Sequence, residues 1–262
     1  MKKINILALL FSFLLWGQAS AQNTTAPSTT TVVASPASKT PEQMAQEYER
    51  WTKVRDDWPN FARYRDANAK LALPAASENR IVFMGNSITD AWIRISPEFF
   101  ANKPYVDRGI SGQTTPQMLV RFRADVINLK PKVVVILAGT NDIAGNTGPS
   151  TLEMIEDNIA SMAQLAKANN IKVVLSSVLP VYDYPWKPGL SPAEKIVSLN
   201  AWIKEYAAKN GMVYLDYFSS LADDRKGMKA EYSKDGVHPT KEGYLVMEPL
   251  AEKAIAEALA QK

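Results

Sequence analysis

Hydrophobic positions fall into two alternating patterns from about residue 80 onward. Short apolar runs form one: "RIVFM" at 80–84, the weaker "PYVDRG" at 104–109, "KVVVILA" at 132–138, "KVVLSSV" at 172–178 and "MVYLDY" at 212–217. They are rich in β-branched residues and bounded by Gly, Pro, Asn or Asp, the pattern of strands covered on both faces. Between them, apolar residues recur at helical spacing over about 115–129, 150–169, 192–209 and 241–260. This alternation predicts an α/β fold with a five-stranded parallel sheet. Right-handed crossovers then place helices on both faces, which makes a three-layer α/β/α sandwich. No internal repeat is visible.

The front of the chain reads differently. Residues 42 to about 75 carry Trp51, Trp58, Phe61, Tyr64 and Leu71 at helix-like spacing, with Pro59 suited to a first helical turn. They predict a helical extension that covers the side of the main domain. Residues 22–41, "QNTTAPSTTTVVASPASKTP", are rich in Ser, Thr, Ala and Pro. Such a stretch has too little apolar surface to offset the entropy of ordering, so a disordered linker is expected. Before it, Lys2 and Lys3 precede an apolar stretch from Ile4 to Trp16, followed by Ala19-Ser20-Ala21. This is the layout of a secretory signal peptide over residues 1–21, with cleavage expected after Ala21. An apolar stretch of about 13 residues is short for a bilayer span, so no stable membrane anchor is expected. The mature chain is then expected in the periplasm or outside the cell.

Composition narrows the chemistry. There is no cysteine, which excludes a disulfide framework and thiolate metal ligands, and there is one histidine. A zinc site built from His or thiolate ligands of one chain is therefore not expected. Without Lys2 and Lys3, the 30 basic residues drop to 28 against 27 acidic ones. That balance carries no electrostatic footprint for nucleic acid. No P-loop motif appears, and no cofactor is implied.

Ligands of open α/β sheets bind beyond the carboxyl ends of the strands. Each polar, glycine-containing segment of note lies on that rim: "GNSITD" (85–90), "RGISGQTT" (108–115), "AGTNDIAGN" (138–146) and "DGVHPT" (235–240). Ser87 sits at the turn out of the first strand, a candidate nucleophile that needs a base. His238 is the one imidazole available. Asp235, three residues earlier, is within reach of its other ring nitrogen and would fix its tautomer. Candidate donors to an oxyanion are the Ser87 and Gly112 backbone N–H groups and the Asn141 side-chain amide. Each feature also has a plain structural reading. Ser87 with Asp90 fits a helix capping box, "GTND" fits a turn, and "DG" and "HP" are turn dipeptides.

Taken in order, the four segments resemble the blocks of the SGNH hydrolases, also called GDSL-type esterases and lipases, over about residues 80–258. The resemblance implies the flavodoxin-like sandwich of that family. It also implies Ser87 as nucleophile, His238 as base, Asp235 as its orienting acid, and Ser87, Gly112 and Asn141 as the oxyanion hole. Asn86 departs from the name-giving pattern, which has aspartate there. That variant is similar to the branch of platelet-activating-factor acetylhydrolase-like bacterial acylhydrolases. The G-x-S-x-G elbow of α/β-hydrolases is absent.

Several aromatics near the rim admit two readings. Tyr182, Tyr184 and Trp186 in "PVYDYPWKPG" form either a substrate wall or a loop pinned to the core. Trp92, with Phe99 and Phe100, either narrows an acyl pocket or packs. Arg108, Gln113 and Arg121 are close enough in sequence to the motifs to contact the site. The expected function is a secreted serine esterase acting on small acyl esters, acetyl above all, of a small molecule or carbohydrate. A lysophospholipase or thioesterase for longer acyl chains is the alternative. A non-catalytic binding module would show a broken constellation, and here all five positions are filled.

Overall fold

The computed structural model describes residues 39–261. The expected signal peptide (1–21) and linker residues 22–38 lie outside the described residues. The described residues up to Met44 fall in one unit and those from Ala45 onward in another. In the first, Thr40 and Gln43 form a reciprocal cap. The Gln43 N–H donates to Thr40 Oγ1 at 3.2 Å, and the Thr40 N–H donates to Gln43 Oε1 at 2.9 Å. With Pro41 in the first turn, this cap starts helix α1 (Pro41–Asp56) at the last residue of the expected linker.

Helix α2 spans Ala62–Lys70. Pro59 precedes it and does not open a helix, contrary to expectation. The Asp57 carboxylate instead accepts the N–H groups of Phe61 (2.8 Å) and Ala62 (2.9 Å), so helical geometry resumes only beyond Asn60. The main domain follows as β1 (Ile81–Gly85), α3 (Ser87–Ile95), α4 (Pro97–Phe100), β2 (Tyr105–Gly109), α5 (Thr115–Asp125) and β3 (Val133–Leu137). Next come α6 (Thr140–Ile143), α7 (Leu152–Ala168), β4 (Lys172–Ser176), α8 (Ala193–Lys209), β5 (Val213–Leu215), α9 (Phe218–Leu221) and α10 (Lys241–Ala260).

The five strands form one parallel sheet in the order β2-β1-β3-β4-β5. Side chains alternate across it. Val82, Met84, Val134, Ile136, Val173 and Leu175 pack with α5, α7 and α8. Ile81, Phe83, Val133, Val135, Val174 and Val213 pack with α3, α4 and α10. Period-two alternation between two helical layers explains the unbroken apolar runs. The expected α/β/α sandwich is the fold. Strand ends differ from the expected spans by at most two residues, and the expected helix over 115–129 gives way after Asp125 to a 3-10 turn at Ile127–Leu129.

Trp92 belongs to the second of these cores and not to a substrate pocket. It is 1% exposed and stacks on Phe99 at a centroid distance of 4.8 Å, with Phe83 and Phe100 edge-on. Phe99 and Phe100 are buried in the same cluster. Helices α3 and α4 turn these rings into the core shared with α10. Because the ring fills a closed aromatic core, Trp92→Ala is expected to lower unfolding free energy by about 3–5 kcal/mol. Equilibrium urea unfolding would measure this, and a loss below about 1 kcal/mol would contradict the packing role.

Candidate active site

Ser87 is the first residue of α3, directly beyond β1. It is not the cap. Asn86 holds that position, its side-chain oxygen accepting the Ile88 N–H at 3.1 Å. Asp90 does not close a capping box. Its carboxylate receives Arg63 at 3.2 Å and the Ser111 hydroxyl at 2.5 Å. The serine side chain is therefore released from local work. Its Oγ lies 2.9 Å from His238 Nε2, although the two residues are 151 positions apart in sequence.

His238 Nδ1 lies 2.7 Å from Asp235 Oδ2. With the ring proton on Nδ1, the imidazole donates to the carboxylate and keeps Nε2 as an acceptor for the serine hydroxyl. The other carboxylate oxygen accepts the backbone N–H groups of Val237 (2.9 Å) and His238 (2.8 Å). Asp235 thus folds the turn and orients the ring at once. Desolvation works to raise its pKa, but the hydrogen bonds from His238 and Val237 outweigh it and hold the carboxyl at about 2. The carboxylate stays charged throughout the neutral range.

Gly112 lies in the loop after β2 with φ of +80° and open space where a Cβ would point. That conformation favours glycine, and its bare backbone is open to a ligand. Asn141 is the second residue of the short α6 after β3. Its Nδ2 donates to the Gln113 carbonyl at 2.9 Å. A primary amide has two such hydrogens, so one bond fixes the group and the second remains to point at a ligand. The Ile110 N–H donates to the Gly85 carbonyl at 3.1 Å, which joins the serine turn to the glycine loop. The structure therefore links all three loops on one sheet edge. Such an arrangement can activate a hydroxyl and stabilise an oxyanion.

Comparison with known proteins places the chain in a family. A model of the GDSL-like lipase/acylhydrolase family matches residues 83–246. The chain belongs to this family. Its fold is that of the SGNH/GDSL hydrolases, and its activity class is acylhydrolase or esterase. A solved structure of a GDSL-like lipase from Bacteroides thetaiotaomicron is similar, with 51% identity and a TM-score of 0.75. It covers 76% of this chain and 98% of that one. Esterase TesA of Pseudomonas aeruginosa is 28% identical over 182 residues, which is 64% of this chain and 84% of that protein. Human platelet-activating factor acetylhydrolase IB subunit alpha2 is 28% identical over 113 residues, 41% of this chain and 47% of that protein.

Residues around this candidate site divide into those that face it and those that hold it. Tyr184 is fully buried, and its hydroxyl donates to the Thr140 carbonyl at 2.8 Å. It is a pin and not part of a substrate wall, because the buried phenol satisfies its O–H on main chain. Trp186 is 46% exposed, with its ring 6.2 Å from that of His238. Tyr182 is exposed and carries the Arg225 guanidinium 4.8 Å over its ring. Arg108, Gln113 and Arg121 are all buried and act beneath the rim. Arg108 donates to Asn68 at 2.9 Å, and Gln113 donates to the Pro59 carbonyl at 2.7 Å.

Two supporting residues escaped the sequence reading. Asp142 accepts both the Thr115 N–H (2.9 Å) and its hydroxyl (2.6 Å), tying the Asn141 loop to the start of α5. Burial pushes this carboxyl up to about 6 against the pull of those bonds. "GTND" fits a turn so well that a second role for its aspartate carried no signal. Asn146 donates to the Gly112 carbonyl at 3.3 Å. Among the described residues, no group of three His, Cys, Asp or Glu is placed to hold a metal ion.

Asp107, on β2 beneath the rim, is another carboxyl raised by burial. Burial pushes it up to about 7, although the Gly109 N–H donates to it at 2.7 Å. Its second oxygen has no hydrogen-bond partner among the described residues. The folded protein therefore keeps a proton that an unfolded chain releases above about pH 4. Stability from this group is fully present below that pH and is lost as pH rises towards 7. Asp107→Asn is expected to shrink the fall in Tm between pH 5 and pH 8. Melting curves at the two values check this, and a fall equal to that of the unaltered protein would contradict it.

Proposed function

We propose that this acylhydrolase cleaves small acyl esters, acetyl above all, through Ser87, and that the alcohol part is a carbohydrate. The observation that carries the mechanism is the unbroken chain of contacts from Ser87 Oγ to His238 to Asp235, at 2.9 and 2.7 Å. In this reading His238 Nε2 takes the serine proton as Oγ bonds to the ester carbon. The carbonyl oxygen becomes an oxyanion facing the Ser87 and Gly112 N–H groups and the free Asn141 amide hydrogen. Collapse breaks the bond to the alcohol oxygen, which leaves with the proton from His238. Water, deprotonated by the same nitrogen, then releases the acid and restores Ser87. Asp235 stays ionised and steadies the imidazolium.

The small-acyl reading is supported by what surrounds the serine. Trp92, Phe99 and Phe100 are closed into the core, so they offer no apolar channel for a long chain. The carbohydrate reading is supported by the exposed Trp186 indole beside His238, a flat apolar face with a polar edge. Release to the periplasm or the cell exterior after cleavage at Ala21 is part of the same proposal. It rests on residues 1–21 of the sequence.

Hydrolysis of p-nitrophenyl acetate and octanoate, measured side by side, tests this reading. The protein is expected to prefer acetate, and Ser87→Ala to abolish both activities. Octanoate preference would favour the long-chain alternative, and full activity in Ser87→Ala would end the serine mechanism. Asn141→Ala is expected to lower kcat by about 100-fold or more. An effect confined to KM would assign the amide to substrate binding instead.

A further inference from the structure

A cleft of about 390 Å³ opens beside Gly112. One side is the loop Ile110–Gln113 with Asn146, and the other is Trp51 and Val54 of α1 with Trp58 just past its end. Its volume is in the range of small-ligand sites, roughly 300–1,000 Å³. Part of this wall, Trp51, Val54, Trp58 and Asn60 included, comes from residues that precede the region matched to the family, 83–246. The helical extension was expected to cover the domain's side, yet α1 buries none of its residues. Trp51 is 66% exposed and Trp58 36% exposed. Large indoles left uncovered and clustered beside a reactive centre mark a binding surface.

From this cleft we infer a subsite, built by the extension, for the sugar ring of the ester's alcohol part. The inference rests on the esterase reading above and gives it a substrate class: O-acylated pyranosides. Position is the first argument. Gly112 lines the cleft, and its N–H faces the oxyanion in that reading, so the cleft opens next to the ester's carbonyl group. Chemistry is the second. The indole faces carry negative π density, which attracts the weakly positive C–H faces of a pyranose. Around them stand polar groups, Asn60, Gln117 and Asn146 among them, that match ring hydroxyls. An alkyl chain in the same place would desolvate those amides without replacing their hydrogen bonds. Anchorage is the third. Gln117 Nε2 donates to the Trp58 carbonyl at 2.8 Å, and Gln113 holds the Pro59 carbonyl, so this corner is tied directly to the Gly112 loop.

Trp51→Ala tests the inference. Residue 51 is on the surface of α1, so folding should survive the change. The readout is the ratio of kcat/KM for a methyl glucopyranoside acetate to that for ethyl acetate, whose alcohol part is too short to reach the indole. The ratio is expected to fall about 5- to 10-fold, mainly through KM, and Trp51→Phe to restore most of it. Met154→Ala, an exposed change on α7, should leave the ratio as it is. An unchanged ratio in Trp51→Ala overturns the subsite, and so does a selective loss of octanoyl ester hydrolysis, which would give the cleft to the acyl chain. Calorimetric titration of the same glucopyranoside acetate into Ser87→Ala separates this idea from the esterase reading. If the unaltered protein hydrolyses neither ester, that reading fails. Binding weakened by adding Trp51→Ala would still support the subsite, and binding unaffected by it would overturn it.

Discussion

Arg121 has no contact with water, so its guanidinium must find every partner inside the protein. It donates to Asp125 at 3.0 Å, to the Gln113 side chain at 2.6 Å and to the Gly85 carbonyl at 3.1 Å. Those three bonds satisfy the charge and define the rim above it. Gly85 precedes the serine turn, and Gln113 closes the glycine loop. The Gln113 carbonyl fixes Asn141. One buried cation thus sets the spacing of the three segments that carry Ser87, Gly112 and Asn141. Desolvation acts to lower its pKa, and the ion pair with Asp125 opposes it. Removing one partner of such a buried pair costs about 3–5 kcal/mol, because the other charge is left unpaired.

The sheet beneath makes this possible. Parallel strands end together on one edge, and β1 lies between β2 and β3. The loops after those three strands are therefore neighbours by construction. Gly109 closes the gap further. A Cβ there would meet the Asp90 backbone nitrogen at 2.1 Å, so only glycine lets β2 end against α3. The histidine arrives from another direction. The 235–240 turn is held by its own hydrogen bonds and by α10, which packs on the same face of the sheet as α3. Tyr244 in α10 donates to the Ile88 carbonyl at 2.7 Å, linking the helix after His238 to the helix that begins at Ser87.

Much of the candidate site was legible because the chemistry proposed for it needs rare residue types in a fixed order. A lone histidine three positions after an aspartate and a serine after an apolar strand were visible in the sequence. So was an asparagine after another strand. The aromatic residues were less legible. Trp92, Tyr184 and Trp186 are similar in type and equally near a motif. Trp92 and Tyr184 are buried and Trp186 is not, because burial depends on which face of a loop or short helix meets the core. The extension misled for a similar reason. Its apolar spacing predicts cover for the domain, yet α1 leaves Trp51 uncovered while α2 buries Tyr64, whose hydroxyl donates to the Gly109 carbonyl.

The sequence by itself determined the layered α/β class, the strand order of the motifs along the chain, and the residue types available for ester chemistry. These depend on period, composition and local turn propensity, all carried by neighbouring residues. Tertiary structure alone decided that Ser87 meets His238, that Arg121 lies beneath the rim and not in it, and that Trp51 and Trp58 border Gly112. Each of those facts joins residues far apart in the chain, and such distances are set by how helices pack on the sheet.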